Sequence, residues 1–155
     1  MKRNFYVCTA IPYVNDKPHV GHAMDLLYAD ATARYVRSRP EVGKVSFTTG
    51  TDEHGVKIAE KAQAAGKTPK KFVDENVALW EAFFKQLNIS NDRFIRTTDK
   101  AHEDRAAIIW KNLSKDIYLG SYTGWYCVGC EEYKTDTYVK ETNGTCPNHN
   151  RAYDK

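Results

Sequence analysis

Near its C-terminus the chain carries Cys127-x2-Cys130 and, after fifteen intervening residues, Cys146-x2-His149. Two ligand pairs at this spacing converge on one point, so residues 127–149 must fold back on themselves. Three thiolates and one imidazole make a closed tetrahedral shell, which is the structural and not the catalytic arrangement. The spacing favours zinc over a redox-active dithiol or inert cysteines. A histidine in an otherwise sulfur shell also favours zinc over iron. Gly144 and Pro147 beside Cys146 are the turn residues such a loop needs. Residues 121–155 hold too few aliphatic side chains to be kept folded by burial alone, so the metal would contribute folding energy outright. The same stretch shows no convincing helix and reads as a small separate module, with a boundary near residues 117–121.

Upstream, the pattern alternates. Phe5 to Ala10 is a short run of strand formers with Cys8 inside it, where a buried, inert thiol is expected. A loop with Pro12 and Asn15-Asp16 follows, and a helix starts near Pro18 or His19 and runs until Pro40 forbids continuation. Val45 to Thr49 is a second strand candidate, and Gly50 to Gly55 a polar loop entering a helix through Ile58, Ala62 and Ala65. Thr68-Pro69 offers an N-cap and a first-turn proline. The helix after it presents Phe72, Val73, Val77, Trp80, Phe83, Phe84 and Leu87 for burial. A third strand is expected from Arg93 to Thr97, then a helix from Thr98 or Asp99 that carries Ile108, Ile109 and Leu113. Strand, helix, strand, helices, strand, helix predicts an α/β fold, a parallel sheet covered on its faces.

Composition narrows the class without naming a function. Of 155 residues, 41% are hydrophobic and 28% charged, values typical of a globular domain and not of a disordered or fibrous chain. The net charge of +3 permits a nucleic-acid partner without arguing for one. No apolar run reaches the length of a membrane span or a signal-peptide core, so no membrane association and a cytoplasmic location are expected. No internal repeat is visible.

The first strand feeds a helix start that carries His19-Val20-Gly21-His22. In an open α/β sheet, ligands bind at the carboxyl ends of the strands. A helix N-terminus there offers free N–H groups and a positive dipole end to an anion. His19 and His22 share one side of the first turn, and Gly21 removes a side chain between them. Residue types alone leave two readings open, a phosphate site and a polar surface turn. No G-x-G-x-x-G dinucleotide fingerprint occurs anywhere in the chain.

Ala10-Ile11-Pro12-Tyr13 followed by His19-Val20-Gly21-His22 resembles the ATP-binding signature of class I aminoacyl-tRNA synthetases. Thr49-Gly50-Thr51-Asp52-Glu53-His54-Gly55 narrows the resemblance to the methionyl-tRNA synthetases. Phe72-Val73-Asp74, Phe94-Ile95-Arg96-Thr97-Thr98 and the zinc knuckle extend it over the whole chain.

The resemblance implies the first half of a Rossmann-like parallel-sheet catalytic domain in residues 1–118. Residues 119–155 would begin a connective insertion with a single zinc knuckle. It implies activation of methionine by ATP with Mg2+ to methionyl-adenylate, then transfer of the methionyl group to tRNA(Met). His19 and His22 would stabilise the phosphates, and Gly21 would let adenine approach the backbone. Ile11, Tyr13, Asp52 and His54 would surround methionine. Aliphatic and aromatic walls suit a thioether, and Asp52 can accept a charge-assisted bond from the substrate ammonium. Glu53 would lie beside the same pocket. The family's lysine-rich second ATP loop and its anticodon-binding domain would lie beyond residue 155, so the chain alone is expected to be inactive and to self-associate. Arg37 to Gly43 departs from the family, which has a glycine-containing turn directly after the helix. Two other readings stand beside this one, a non-catalytic zinc-containing nucleic-acid or protein binding module and a different nucleotidyl transferase.

Overall fold

A computed structural model describes residues 2–155, which divide into two compact units, one ending at Ile108 and one running from Ile109 to Lys155. The first unit is built on three strands, β1 (Arg3–Cys8), β2 (Val42–Thr51) and β3 (Arg93–Arg96), in the spatial order β1-β2-β3 with both pairings parallel. The connections are helical: α1 (Val20–Arg37) between β1 and β2, and α2 (Val56–Ala64) and α3 (Pro69–Gln86) between β2 and β3. A last helix, α4 (Lys100–Asn112), follows β3. Parallel neighbours require such crossovers, which is why strands and helices alternate along the chain.

The middle strand is longer than Val45–Thr49, because Gly50 and Thr51 continue the ladder with Ile95 and Arg96. Gly50 is obligatory there: a Cβ would lie 1.9 Å from the Ile95 carbonyl oxygen. The core lies between the loop after β1 and the helices, where Val14, Leu26, Ile58, Val73, Val77, Trp80 and Phe84 are all buried. α3 supplies four of these at helical spacing, and the Thr68 hydroxyl caps it by accepting the Lys71 N–H. At the other end of α1, Asp30 is buried and accepts bonds from the Ser90 N–H and hydroxyl and from Arg34. Arg37 reaches Asp92, whose carboxylate also accepts the Phe47 N–H. These bonds tie α1 to the loop entering β3.

One burial expectation fails in this unit. Cys8 is exposed and not buried, on a strand that leaves Phe5 and Tyr6 exposed as well, so its faces are not covered among the described residues. α4 buries no residue, and Ile108, Ile109 and Leu113 are 57%, 59% and 49% exposed. The apolar spacing is real, but spacing cannot reveal whether a surface exists to cover it.

The second unit holds two small antiparallel pairs, β4 (Trp125–Cys127) with β5 (Glu132–Lys134) and β6 (Thr145–Cys146) with β7 (Arg151–Ala152). Contrary to expectation it also contains a helix, α5 (Asp136–Glu141). The Thr135 hydroxyl caps that helix by accepting the Tyr138 N–H at 3.2 Å, and Val139 anchors it among Cys127, Cys146 and Tyr153. Its six residues are too few for a periodic signal, so cap and anchor decide it.

Candidate active site and candidate metal centre

The loop after β1 does not leave the sheet at once. The Asp52 N–H donates to the Pro12 carbonyl at 2.9 Å and the Val14 N–H to the Asp52 carbonyl at 3.3 Å. Tyr13 and Asp52 are thereby bridged in parallel beyond the regular ladder. The chain then crosses toward α3, where Asn76 donates to the Val14 carbonyl and the Trp80 indole to the Asp16 carbonyl. Lys61 of α2 forms an ion pair with Asp16. The segment leading to α1 is thus fixed by three other elements.

A cleft of about 730 Å³ opens over this segment, lined by Tyr13, His19, Gly21, His22, Asp25 and Trp80 among others. At its floor the two histidines form a reciprocal cap. His19 is the N-cap of α1, and its Nδ1 accepts the Gly21 N–H at 3.1 Å. His22, three residues on, accepts the His19 N–H on its own Nδ1 at 3.2 Å. This is the hydrogen-bond pattern of a capping box with imidazoles in place of hydroxyl and carboxylate.

An Nδ1 that accepts an amide proton carries none itself. Each neutral ring therefore holds its proton on Nε2, where it can be donated. The rings lie with centroids 3.8 Å apart, and the Trp80 indole meets His22 edge-on at 4.7 Å. Burial, followed by the neighbouring His19, holds His22 below its ordinary pKa, so the ring stays uncharged at neutral pH. Gly21 serves the cap too, because a Cβ there would sit 3.0–3.1 Å from the His19 ring.

The other expected site residues divide. Tyr13 lines the cleft, whereas Ile11, Asp52 and His54 are not among its lining residues. Asp52 is joined to Tyr13 through the backbone bridge. The His54 ring donates from Nε2 to the Thr97 carbonyl at 3.3 Å. Ile11 is 38% exposed and so is not ordinary core.

In the second unit the four expected ligands converge. One donor atom from each of Cys127, Cys130, Cys146 and His149 lies within 4.8 Å of the others. The Cys130 and Cys146 sulfurs are 3.5 Å apart, and His149 Nδ1 is 3.4 Å from the first and 3.6 Å from the second. Tetrahedral edges for bonds of about 2.3 Å to sulfur and about 2.0 Å to nitrogen are close to these values. A disulfide would need about 2.05 Å, and all the cysteines are free.

The two ligand pairs sit on two turns of the same kind. The Glu131 N–H donates to the Cys127 carbonyl at 2.7 Å and the Asn150 N–H to the Cys146 carbonyl at 2.8 Å. Glu131 and Asn150 each take a positive φ, 58° and 47°. Gly129 lets the His149 ring in, since a Cβ would lie 2.5 Å from it. The His149 contact, chief among several, pulls the Cys146 thiol down to about 6, while the Cys146 sulfur, ahead of burial, pushes Cys130 up to about 11. Sulfurs this close resist simultaneous ionisation, and a divalent cation among them removes the conflict. The residues present therefore fit a metal ion.

The family model described as "tRNA synthetases class I (M)" matches residues 5–155. The chain belongs to the methionyl branch of the class I tRNA synthetases. Among curated relatives, the methionine–tRNA ligase of Streptomyces coelicolor is 44% identical over 95% of this chain and 29% of its own length. That of Caldanaerobacter subterraneus is 42% identical over 100% of this chain and 24% of its own. A solved structure, Mycobacterium tuberculosis methionyl-tRNA synthetase in complex with methionyl-adenylate, superposes with a TM-score of 0.87 at 38% identity, covering 98% of this chain and 30% of that one. The three-stranded parallel sheet is thus that of a methionyl-tRNA synthetase catalytic domain. The chain spans under a third of the length of these relatives.

Within this synthetase frame, sequence reasoning missed Trp80, which it took for core alone. Trp80 is 1% exposed, yet it also lines the cleft and contacts His22. Its indole N–H was the available signal, because a buried indole needs an acceptor and here finds one in the site loop. Asn76 and Asp16 were also missed, and each acts through long-range bonds that no local pattern announces.

Proposed function

We propose that this chain supplies the ATP and methionine site of a methionine–tRNA ligase. It would act with the remainder of the catalytic domain and an anticodon-binding domain. The methionine carboxylate oxygen attacks the α-phosphorus of ATP (with Mg2+), pyrophosphate leaves, and methionyl-adenylate forms. The methionyl group then passes to the terminal adenosine of tRNA(Met). The observation that carries this reading is the reciprocal cap, which occupies Nδ1 of two histidines that line a cleft at a helix N-terminus and leaves Nε2–H of each as the donor.

Negative charge gathers on the phosphate oxygens in the transition state, and preformed donors stabilise it without reorganising. The lowered pKa of His22 keeps its ring a neutral donor. The positive end of α1 adds to the same field. Gly21 leaves the adjoining backbone open to adenine. Tyr13, which lines the cleft, would form a wall for the thioether, with Ile11 and His54 nearby in the chain but outside that lining. Asp52 receives the ammonium, and no ion pair among the described residues engages its carboxylate. The relative whose structure holds methionyl-adenylate supports this assignment.

Residues 1–118 would be the first half of the catalytic domain and 119–155 the start of a connective insertion. Cys127, Cys130, Cys146 and His149 would hold one structural zinc ion. Thiols kept as metal ligands suit the reducing cytoplasm. Among the described residues no helix is long and apolar enough to cross a membrane.

Methionine-dependent ATP–pyrophosphate exchange tests the reading. The isolated chain should give no appreciable exchange. Joined to the remainder of the enzyme, His19→Ala or His22→Ala should slow adenylation by about 10²-fold with little change in methionine affinity. Parent-level exchange by both variants would overturn the phosphate role.

A further inference from the structure

The described machinery makes no use of the most heavily bonded buried charge in the first unit. The Glu53 side chain is fully buried, and its carboxylate accepts four bonds. Arg96 provides two as a fork, Nε to Oε1 at 2.7 Å and a terminal nitrogen to Oε2 at 2.8 Å. The Thr51 and Thr98 hydroxyls provide the others at 2.6 and 2.5 Å. Arg96 also reaches Asp74 of α3 at 2.6 Å. Three elements therefore meet at one guanidinium: the turn after β2, the end of β3 and α3.

The turn so held is Asp52-Glu53-His54. On its upstream side the Asp52 backbone pairs with Pro12 and Val14. On its downstream side the Glu53 N–H donates to the Thr97 hydroxyl at 2.9 Å and the His54 ring to the Thr97 carbonyl. Asp52 is suspended between two clamps, of which the second depends on the charge pair. A buried ion pair is a poor source of net stability, because apolar residues of similar size serve as well or better. Its fork geometry, in contrast, sets one orientation of the two backbones it joins.

We propose that Arg96 is a positioning residue for methionine recognition, acting through Glu53 to hold Asp52 where the substrate ammonium binds. The proposal rests on the reading of Asp52 as the ammonium acceptor. Misplacement of such a group by an ångström is enough to weaken its contact many-fold. ATP is held at the α1 cap, which shares no bond with this network, so the effect should be confined to the amino acid.

The test uses the ligase in which this chain is joined to the rest of its catalytic domain. Glu53→Met with Arg96→Met, Arg96→Lys and Asp52→Asn are assayed by pyrophosphate exchange, with thermal unfolding of each. The double variant should raise KM for methionine by about tenfold, leave KM for ATP within about twofold, and melt close to the parent. Arg96→Lys, which keeps the charge and loses the fork, should fall between the two, and it carries the test if the double variant does not fold. A lowered melting temperature with both KM values unchanged would overturn the proposal, leaving a purely structural pair. If Asp52→Asn raises KM for methionine and the Arg96 variants do not, positioning fails and the Asp52 reading stands. If Asp52→Asn has no effect, both fail together.

Discussion

The two units reach a fixed shape by different means. The first buries seven apolar side chains in one cluster and adds buried carboxylates with full sets of donors. The second has a core cluster of four buried residues, two of which, Cys127 and Cys146, are themselves candidate ligands. In the first, function sits on a scaffold whose packing would persist without the histidines. In the second, the ligand set is the scaffold. A change at the site should therefore be local in one unit and global in the other.

The largest expected effect is in the second unit. Cys127→Ser or Cys146→Ser should abolish zinc binding and unfold residues 121–155, a loss on the order of 10 kcal/mol, while residues 1–108 keep their core. Elemental analysis should give one zinc per parent chain. Equal zinc in parent and variants would refute the assignment. Amide exchange resolved by residue would show whether the first unit remains protected; loss of protection in both would end the contrast between them.

Next in size is Trp80→Ala, which removes the largest fully buried side chain. It should cost about 3–5 kcal/mol and free the Asp16 carbonyl and the His22 ring edge, yet leave zinc content unchanged. Denaturant unfolding read by α1 exchange, with zinc measured on the same samples, checks both parts. Zinc loss on this substitution would mean that the units do not hold themselves up separately.

The smallest effect is the acid response of the cap. Folding lowers the pKa of His22, through burial first and His19 second. Between that lowered value and the ordinary 6.5, the unfolded chain binds more protons, so stability rises with pH across this window. The contribution is complete above about pH 6.5 and lost as pH falls through the folded value. For Glu53, burial alone would raise the pKa, but the bonds from Arg96, Thr51 and Thr98 outweigh it and leave it lowered from 4.5. Its stabilisation is present above that pH and lost only on further acidification, so the two responses separate. Urea midpoints at about pH 7 and about pH 5.5 should differ more for the parent than for His22→Gln. An equal drop in both would remove His22 as the cause.

Legibility in the sequence followed the range of the interaction. Thr68-Pro69 and the spacing of Val73, Val77, Trp80 and Phe84 are local, and they announced α3. The Cys-Cys-Cys-His set was equally open, because its geometry is encoded as two short intervals. The pairing of Gly50 with Ile95 was not, since it depends on a partner some forty residues away. The outward face of α4 and the exposure of Cys8 were hidden for a related reason: apolar periodicity reports a face and not its cover. The roles of His19, Gly21 and His22 were suggested by motif. The tautomers of the two histidines came only from seeing which backbone amide each Nδ1 accepts.

That last detail limits how the first turn of α1 can drift in sequence. For the proposed phosphate role, positions 19 and 22 must each accept a backbone amide and offer a donor, from opposite ends of one short planar group. Ser, Thr and Asp can cap but leave no N–H facing the cleft, and Lys can donate but cannot cap. A carboxamide does both, so Asn at position 19 and Gln at position 22 are the replacements that this turn would accept with least loss. The same pairing leaves neither neutral ring a free basic nitrogen, so proton abstraction has no place in the proposed role.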